Sequence, residues 1–338
     1  FRPETIDSAE WHRLSSSCHT MSLVQTWEYG EAKQQTTSWQ VERGFLQKGK
    51  ERVGMAQSLV RPLPFGLGGL AWINRAPIGF GKLNNLAQDT SRYLSALVYY
   101  YTKERGYYLR IAPPLEVGEI NTVDIEKAGL KVGNDLGWAS AKLNLSPSLD
   151  DIRLQLNRKW RGHLNRAKRS GMIIRSGYEA EKFNLFLSAH ERAIKDKDFK
   201  TTVTPQFLSA MQDLLPPQRK MLVINAHMGT QHVGSILLAY YGESAEYLAG
   251  NTSSIGRKCG AGQLLLWHGI KLLKENGIIN LDVSGQDPVK TPQGILTFKQ
   301  GLNAKPYRLV NTVFSEDSRL ANRLIGWRVN QALKLELS

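Results

Sequence analysis

The sequence predicts an α/β protein with mixed sheets, built from two copies of one domain in tandem. Three observations carry that reading. Ala245–Gly285 runs strand, glycine-containing loop, helix, strand, a βαβ-type unit. The first half of the chain lays out the same order of hairpin, third strand, helix, glycine and strand. The halves also share local text: Arg52-Val53-Gly54 matches His232-Val233-Gly234, and Lys103-Glu104-Arg105-Gly106 matches Lys274-Glu275-Asn276-Gly277. These offsets, roughly 170–180 residues, have the length of a domain and far exceed a solenoid repeat.

In the first half, helix-like material surrounds Trp27 and ends in QTWEYGEAKQQ (Gln25–Gln35). Trp39–Leu46 and Arg52–Val60 read as strands across a polar turn, and the Pro/Gly-rich segment Arg61–Gly69 leads into a third strand, Leu70–Asn74. A helix over Leu86–Arg105 is stopped by Gly106, and Tyr107–Ile111 is the next strand. In the second half, Met221–Ala226 and Val233–Tyr241 form a hairpin across His227–His232, and Tyr247–Ala249 is the third strand. The following helix carries Leu265, Ile270 and Leu273, with Gly277 at its C-terminal glycine position. Ile278–Val283 is a short apolar run bounded by turn signals, a buried strand. Just before that helix, Arg257-x-x-Gly260-x-Gly262 reads as a loop whose backbone N–H groups and helix dipole suit a phosphate.

Between the halves, Asp150–Gly171 predicts one strongly basic amphipathic helix. Ile152, Leu156, Trp160, Leu164 and Ala167 share an arc, while Arg158, Lys159, Arg161, Arg166, Lys168 and Arg169 spread over the rest of the wheel. A solvated basic face and a phosphate- or RNA-backbone contact are both open for it. Ser318–Leu335 reads as a second, weaker basic helix packed on the body of the protein. The domains are expected at 1–147, completed by the helix at 318–338, and at 148–317.

Composition narrows the partners. With 41% hydrophobic and 22% charged residues, the 338-residue chain is a folded globule and not a disordered one. The net charge of +14 points to a polyanion: nucleic acid, a phosphorylated substrate or an anionic membrane face. No apolar run reaches membrane-spanning length. With no signal-peptide pattern at Phe1-Arg2-Pro3-Glu4 and two distant cysteines, Cys18 and Cys259, a cytoplasmic protein is expected. The scattered histidines give no metal-ligand spacing, and no metal is expected. Asp282, near a strand end, can serve as a base or cap the next loop.

The residues then carry a family resemblance. QTWEYGEAK (Gln25–Lys33), WINRAPIG (Trp72–Gly79), RGYYLRIAPP (Arg105–Pro114), KRSGMIIRSG (Lys168–Gly177), WHGIKLLKENGIINLDVSG (Trp267–Gly285) and GILTFKQGLNAKPY (Gly294–Tyr307) resemble motifs of the Fem family, in the right order. The resemblance implies two tandem GNAT-like domains without a coiled-coil insertion. It also implies transfer of an amino acid from aminoacyl-tRNA to an amine of a cell-envelope, peptidoglycan-type precursor. No cofactor is expected beyond aminoacyl-tRNA as co-substrate. Lys299, after Phe298, takes the place of the family's catalytic lysine. Lys33, Arg75, Arg192 and Tyr247 are the acceptor-binding candidates, and Arg158, Arg161, Lys168 and Arg169 are the tRNA-binding candidates. The implied partners are aminoacyl-tRNA and a nucleotide- or lipid-linked envelope precursor, with peripheral contact to the inner membrane surface, for a monomeric enzyme. Ala112 and Ala249 depart from the family pattern, in the acceptor region.

Two rival readings stay open. An acyl-CoA-dependent N-acyltransferase of the same fold, acting on a sugar or polysaccharide precursor, would use Arg257, Gly260 and Gly262 as its pyrophosphate loop. A non-catalytic RNA- or membrane-surface-binding protein would use the basic helix and leave Lys299 without a role.

Overall fold

A computed structural model describes residues 1–16, 18, 21–80, 86–197 and 201–337. In chain order the elements are β1 (Arg2–Pro3), α1 (Ser8–Ser15), α2 (Trp27–Thr36), β2 (Gln40–Lys48), β3 (Glu51–Pro62), β4 (Gly69–Asn74), β5 (Ile78–Gly79), α3 (Leu86–Val98), β6 (Tyr107–Ala112), α4 (Thr122–Lys127) and β7 (Lys131–Val132). There follow β8 (Ala139–Asn144), α5 (Leu149–Gln155), α6 (Arg158–Lys168), β9 (Ile173–Gly177), α7 (Ala180–Lys197), α8 (Pro205–Leu214), β10 (Leu222–Met228), β11 (Gln231–Tyr241) and β12 (Ser244–Thr252). The chain ends with α9 (Ser254–Cys259), α10 (Ala261–Glu275), β13 (Asn280–Asp282), α11 (Gln293–Gln300), β14 (Lys305–Arg308), β15 (Val313–Ser315) and α12 (Leu320–Leu337).

Two compact units result: Phe1–Trp138 with Arg308–Ser338, and Ala139–Tyr307. These limits differ from 1–147 and 148–317 because pairing, not chain order, assigns the connecting segments. β8 pairs antiparallel with β13 inside the second sheet, while β15 pairs with β6 and β7 inside the first.

The first unit holds a mixed sheet in the order β1-β2-β3-β4-β6-β15-β7, with β5 on β3. β3 is buried along most of its length, so it reads as a central strand whose side chains pack on both faces. One core gathers Trp11, Phe45, Met55, Ile73, Leu94, Tyr101, Leu109 and Ile111. α3 passes into a π-helical turn over Tyr99–Glu104 before Gly106 turns the chain at φ 67°. The parallel pair β4 and β6 stays in register from Gly69↔Tyr107 to Asn74↔Ala112.

The second unit holds a sheet in the order β14-β8-β13-β12-β11-β10-β9, with β12–β13 parallel and the pairs β8–β13, β12–β11, β11–β10 and β10–β9 antiparallel. Its core gathers Leu265, Leu266, Ile270 and Leu273 of α10, Ile224, Ile236 and Leu238 of the sheet, and Trp160 and Leu164 of α6. Burying each such aliphatic side chain contributes about 1.5–3 kcal/mol. Gly269 lets α10 lie close on the sheet, because a Cβ there would stand 2.7 Å from Leu238. The two halves thus match element for element, β3-β4-α3-β6 against β11-β12-α10-β13, as the repeated text predicts.

The single basic helix expected over 150–171 is two helices. α5 ends at Gln155, Leu156 is extended at ψ 145° and buried, and α6 starts at Arg158. Asn157 makes the break: its side chain accepts from Lys159 N at 2.9 Å as the α6 cap, and its own N–H donates to Gly301 O at 2.9 Å. The apolar arc continues across the break, so periodicity alone does not reveal it. Among the described residues no helix is long and apolar enough to cross a membrane. Asn157→Ala should cost about 0.5–2 kcal/mol, the usual loss for a capping side chain, read as a lower midpoint in urea unfolding.

Candidate active site

The site in the second unit begins with a sheet that parts early. β12 and β13 are in parallel register only over Ser244↔Asn280, Ala245↔Leu281 and Glu246↔Asp282. β12 then runs on to Thr252, while the chain after β13 turns at Ser284, whose φ is 62°. From Tyr247 onward the β13 side of β12 is an open edge. A parted parallel pair leaves backbone groups facing a gap instead of a neighbour, which suits an extended ligand. In the first unit the corresponding pair stays closed along its length.

Lys299 lies at that gap. It is the seventh residue of α11, is 7% exposed, and its Nζ donates to Gly285 O at 3.1 Å while standing 5.6 Å from the centre of the Tyr247 ring. Burial lowers its pKa from the ordinary 10.5 to about 8, against the opposing pull of the Asp282 and Glu246 carboxylates. At neutral pH the amine is therefore a cation, yet close to giving up its proton. Tyr247 contributes the floor: Gly250 leaves space for its hydroxyl, and burial raises its phenol pKa.

Asp282 organises the other side. Its Oδ1 accepts from Ser140 Oγ and from Ser284 N (2.8 Å), and its Oδ2 accepts from Tyr307 OH at 2.5 Å. With both oxygens engaged, Asp282 fixes the turn after β13 and is a positioning residue. Of the two roles open from sequence, capping is the one the geometry fulfils. Ser140, Glu246 and Tyr307 join the site only through folding. They come from β8, β12 and β14, and no local pattern places them beside Lys299.

The basic helix supports this site from behind. Trp160 Nε1 donates to Phe298 O at 3.1 Å, its ring packs on Phe298 at 6.2 Å, and Gly301 lies against it where a Cβ would come within 2.5 Å. Trp160 thus sets the position of α11, and with it Lys299. On the outer face Arg158, Lys168 and Arg169 are exposed, and among the described residues no acidic side chain pairs with them. Arg161 Nη1 instead donates to Leu154 O at 2.5 Å, across the α5–α6 break. Lys168 lies 5.9 Å from the Trp267 ring, and burial, then Arg153 and Lys271, lower its pKa.

The segment expected as a pyrophosphate loop is not a loop. Arg257 is inside α9 and its Nη1 donates to Thr252 O at 2.7 Å. Gly260 joins α9 to α10 in the left-handed conformation at φ 81°, and a Cβ there would stand 2.8 Å from His163 O of α6. Gly262 is in the first turn of α10, in contact distance of the Phe298 ring. Close helix packing accounts for Gly260 here, a demand that a Gly-x-Gly spacing does not distinguish from phosphate binding.

Among the acceptor candidates, Tyr247 lies beside Lys299 in the second unit. Lys33 sits in α2 of the first unit, 5.5 Å from the Tyr29 ring, with its pKa lowered by burial. Arg75 follows β4 of the first unit at φ 54°, its N–H donating to Ala112 O at 2.8 Å and its guanidinium 5.2 Å from the Trp138 ring. Arg192 is exposed on α7, where its Nε donates to Ser188 O at 3.2 Å. Its charge helps lower the pKa of His232, after burial and His227; that pair of rings faces across the β10–β11 hairpin at 5.5 Å.

Fold and site together define a class, the tandem GNAT-like proteins, and comparison with known proteins agrees. Residues 155–292 match the family profile described as an acetyltransferase (GNAT) domain. The whole chain has the FemABX-like GNAT fold: FemX superposes with a TM-score of 0.79 at 15% identity, covering 96% of this chain and 100% of FemX. L-PGS from Bacillus licheniformis gives 0.58 at 12% identity, over 96% of this chain and 97% of its own. A tandem GNAT protein from the clavulanic acid biosynthesis pathway gives 0.51 at 10% identity, over 91% and 93%. No curated protein matches the sequence.

The depressed pKa of Lys299 has a consequence for stability. Between about pH 8 and 10.5 the unfolded chain holds a proton that the native amine has lost, so stability rises with pH across that window and is lowest below it. Lys299→Met removes the buried cation. It should stabilise the fold on the order of 2–3 kcal/mol at pH 7, with the gain fading as pH approaches 10.5. Urea unfolding at both pH values measures this.

Proposed function

We propose that the protein is an aminoacyltransferase that moves an amino acid from aminoacyl-tRNA to an amine of a cell-envelope, peptidoglycan-type precursor. One observation carries the reading: a buried, cationic Lys299 stands at the open edge of β12, in a chain that shares the FemX fold over its length. In the reaction the acceptor nitrogen attacks the ester carbonyl, the C–N bond forms, and the ester C–O bond breaks. The amine loses one proton and the leaving ribose oxygen gains one. The Lys299 ammonium stabilises the oxyanion of the tetrahedral intermediate, and a pKa of about 8 lets it pass a proton to the departing oxygen. The tRNA ester is already reactive, so orientation supplies much of the rest. Lys33 is assigned to the phosphates of the acceptor, and Arg75, Arg192 and Tyr247 are further acceptor-binding candidates. Exposed Arg158, Lys168 and Arg169, with Arg161 as a helix brace, are assigned to the tRNA backbone, whose counterion release rewards unpaired cations. The protein would then work in the cytoplasm.

The second reading, an acyl-CoA-dependent N-acyltransferase, is favoured by the acetyltransferase match. The donor decides between them. Titration of the purified protein with aminoacyl-tRNA and with acetyl-CoA at two salt concentrations should show salt-sensitive tRNA binding. Arg158→Gln with Arg169→Gln should lower the slope of log affinity against log salt by about two. Acetyl-CoA binding without tRNA binding would replace the first reading by the second. With the donor known, Lys299→Ala should reduce kcat by about 10²–10³-fold and leave donor binding unchanged. In the wild type, kcat should fall as pH rises through about 8, the point at which Lys299 loses its proton. Full activity in Lys299→Ala would remove the lysine from the mechanism.

A further inference from the structure

The buried charges at the gap between β12 and β13 do not balance. Three ionisable side chains lie there at 7% exposure each: Lys299, Asp282 and Glu246. Glu246 and Asp282 are register partners on adjacent parallel strands, so their side chains leave the sheet on one face, from points about 5 Å apart. Ala245 and Leu281, the residues before them, belong to the core under α10, which puts both carboxylates on the opposite face. Lys299 comes from the α10 side: the neighbouring Phe298 ring lies against Gly262, and the Nζ stands over the Tyr247 ring. The open edge of β12 therefore has an ammonium on one side and two carboxylates on the other.

Asp282 is committed to the turn after β13, where Ser140, the Ser284 N–H and Tyr307 engage both its oxygens. Asp287, farther along the same loop, accepts from Val289 N at 2.9 Å and from Lys290 N at 3.1 Å. Lys142, the β8 neighbour of Asp282, is exposed and lies over the Tyr307 ring at 4.6 Å, where water screens its charge. Glu246 stands one residue before the edge opens, on the strand that lines the gap. Its charge and that of Asp282 both reach Lys299, each raising the ammonium pKa against burial. One buried cation thus faces two buried anions. An excess buried charge opposes stability, and a cationic group on a ligand removes the excess.

The proposed reaction brings two amines to this gap. The acceptor amine must be neutral to attack, and a carboxylate that held it as an ammonium would keep its lone pair occupied. The α-amino group of the aminoacyl ester forms no bond in the transfer. As an ammonium it withdraws electrons from the adjacent carbonyl, and a carboxylate beside it holds it in that form. The α-ammonium is therefore the cation that a buried carboxylate binds productively. An acetyl group offers no charge in that place and would leave the carboxylate beside a methyl.

Resting on the aminoacyl-transfer reading, we propose that Glu246 binds the α-ammonium of the incoming aminoacyl group and so selects an aminoacyl over a plain acyl donor. The ester carbonyl oxygen faces Lys299, and the α-ammonium faces the carboxylate side of the gap. The probes are a tRNA ending in a 3′-amino group, acylated with alanine or with lactate. Their amide link does not hydrolyse, and the two differ only by a hydroxyl in place of the ammonium. Every amino acid carries that ammonium, so the test does not depend on which one is transferred. The wild-type full chain at pH 7 should bind the alanyl form about 10–100-fold more tightly, the range for a charge-assisted hydrogen bond. In Glu246→Gln, which keeps the shape of the side chain, the preference should fall to about twofold or less, with binding of the lactyl form unchanged. Glu246→Asp, which keeps the charge one methylene farther back, should retain a reduced preference. Equal binding of the two forms by the wild type overturns the proposal without any variant and leaves aminoacyl transfer standing. A full preference in Glu246→Gln also overturns it. So does an equal loss of both forms in that variant with thermal unfolding at the wild-type midpoint, which would make Glu246 a structural group. Binding of acetyl-CoA and of neither tRNA would instead remove the aminoacyl-transfer reading itself, and the proposal with it.

Discussion

The length over which β12 and β13 remain paired governs the chemistry of the second unit. Three residues of parallel register are enough to fasten β13 into the sheet, where β8 holds its other side. The parting after Glu246↔Asp282 then opens a gap that α11 can reach. Had the register continued as it does between β4 and β6, Tyr247 would face a neighbouring strand and Lys299 would have no space to line. The duplicated units therefore share a plan and differ in how far their parallel strand pair runs.

A second constraint is the burial of a charge. Holding the Lys299 ammonium at 7% exposure opposes stability, and the surroundings offset part of that cost with the Gly285 carbonyl, the face of Tyr247 and two nearby carboxylates. Asp282 cannot swing toward the amine, since Ser140, Ser284 and Tyr307 occupy its oxygens. The result is a cation that is attracted to its site without being locked in an ion pair, so its proton donors remain available to a developing negative charge. Trp160 ties this to the basic helix. The same short element that presents exposed arginines also fixes the backbone at Phe298, one residue from the lysine.

Much of the architecture was legible in the sequence, because it rests on local signals. The repeated text, the glycines at Gly106 and Gly277 and the apolar runs of the central strands place β3-β4-α3-β6 and β11-β12-α10-β13 correctly. Gly106 and Gly277 both adopt positive φ where helix ends require it. The boundaries near 147 and 317 shifted for a non-local reason: which sheet takes β8 and β15 depends on strands far away in the chain. The break at Asn157 was hidden because its cause, a hydrogen bond to Gly301, spans most of the second unit.

By itself, the sequence determined the fold class, the basic surface of 158–169 and the candidacy of Lys299, through residue type, periodicity and family-like motifs. Only the tertiary structure decided how the residues around that lysine work. It set Asp282 as a positioning group and brought Ser140, Glu246 and Tyr307 together from three strands. It also made Gly260 a packing glycine between α6 and α10. The physical reason is the same in each case. A pKa, a hydrogen-bond partner or the space for a Cβ is set by atoms that arrive from distant positions in the chain, and no local pattern records their arrival.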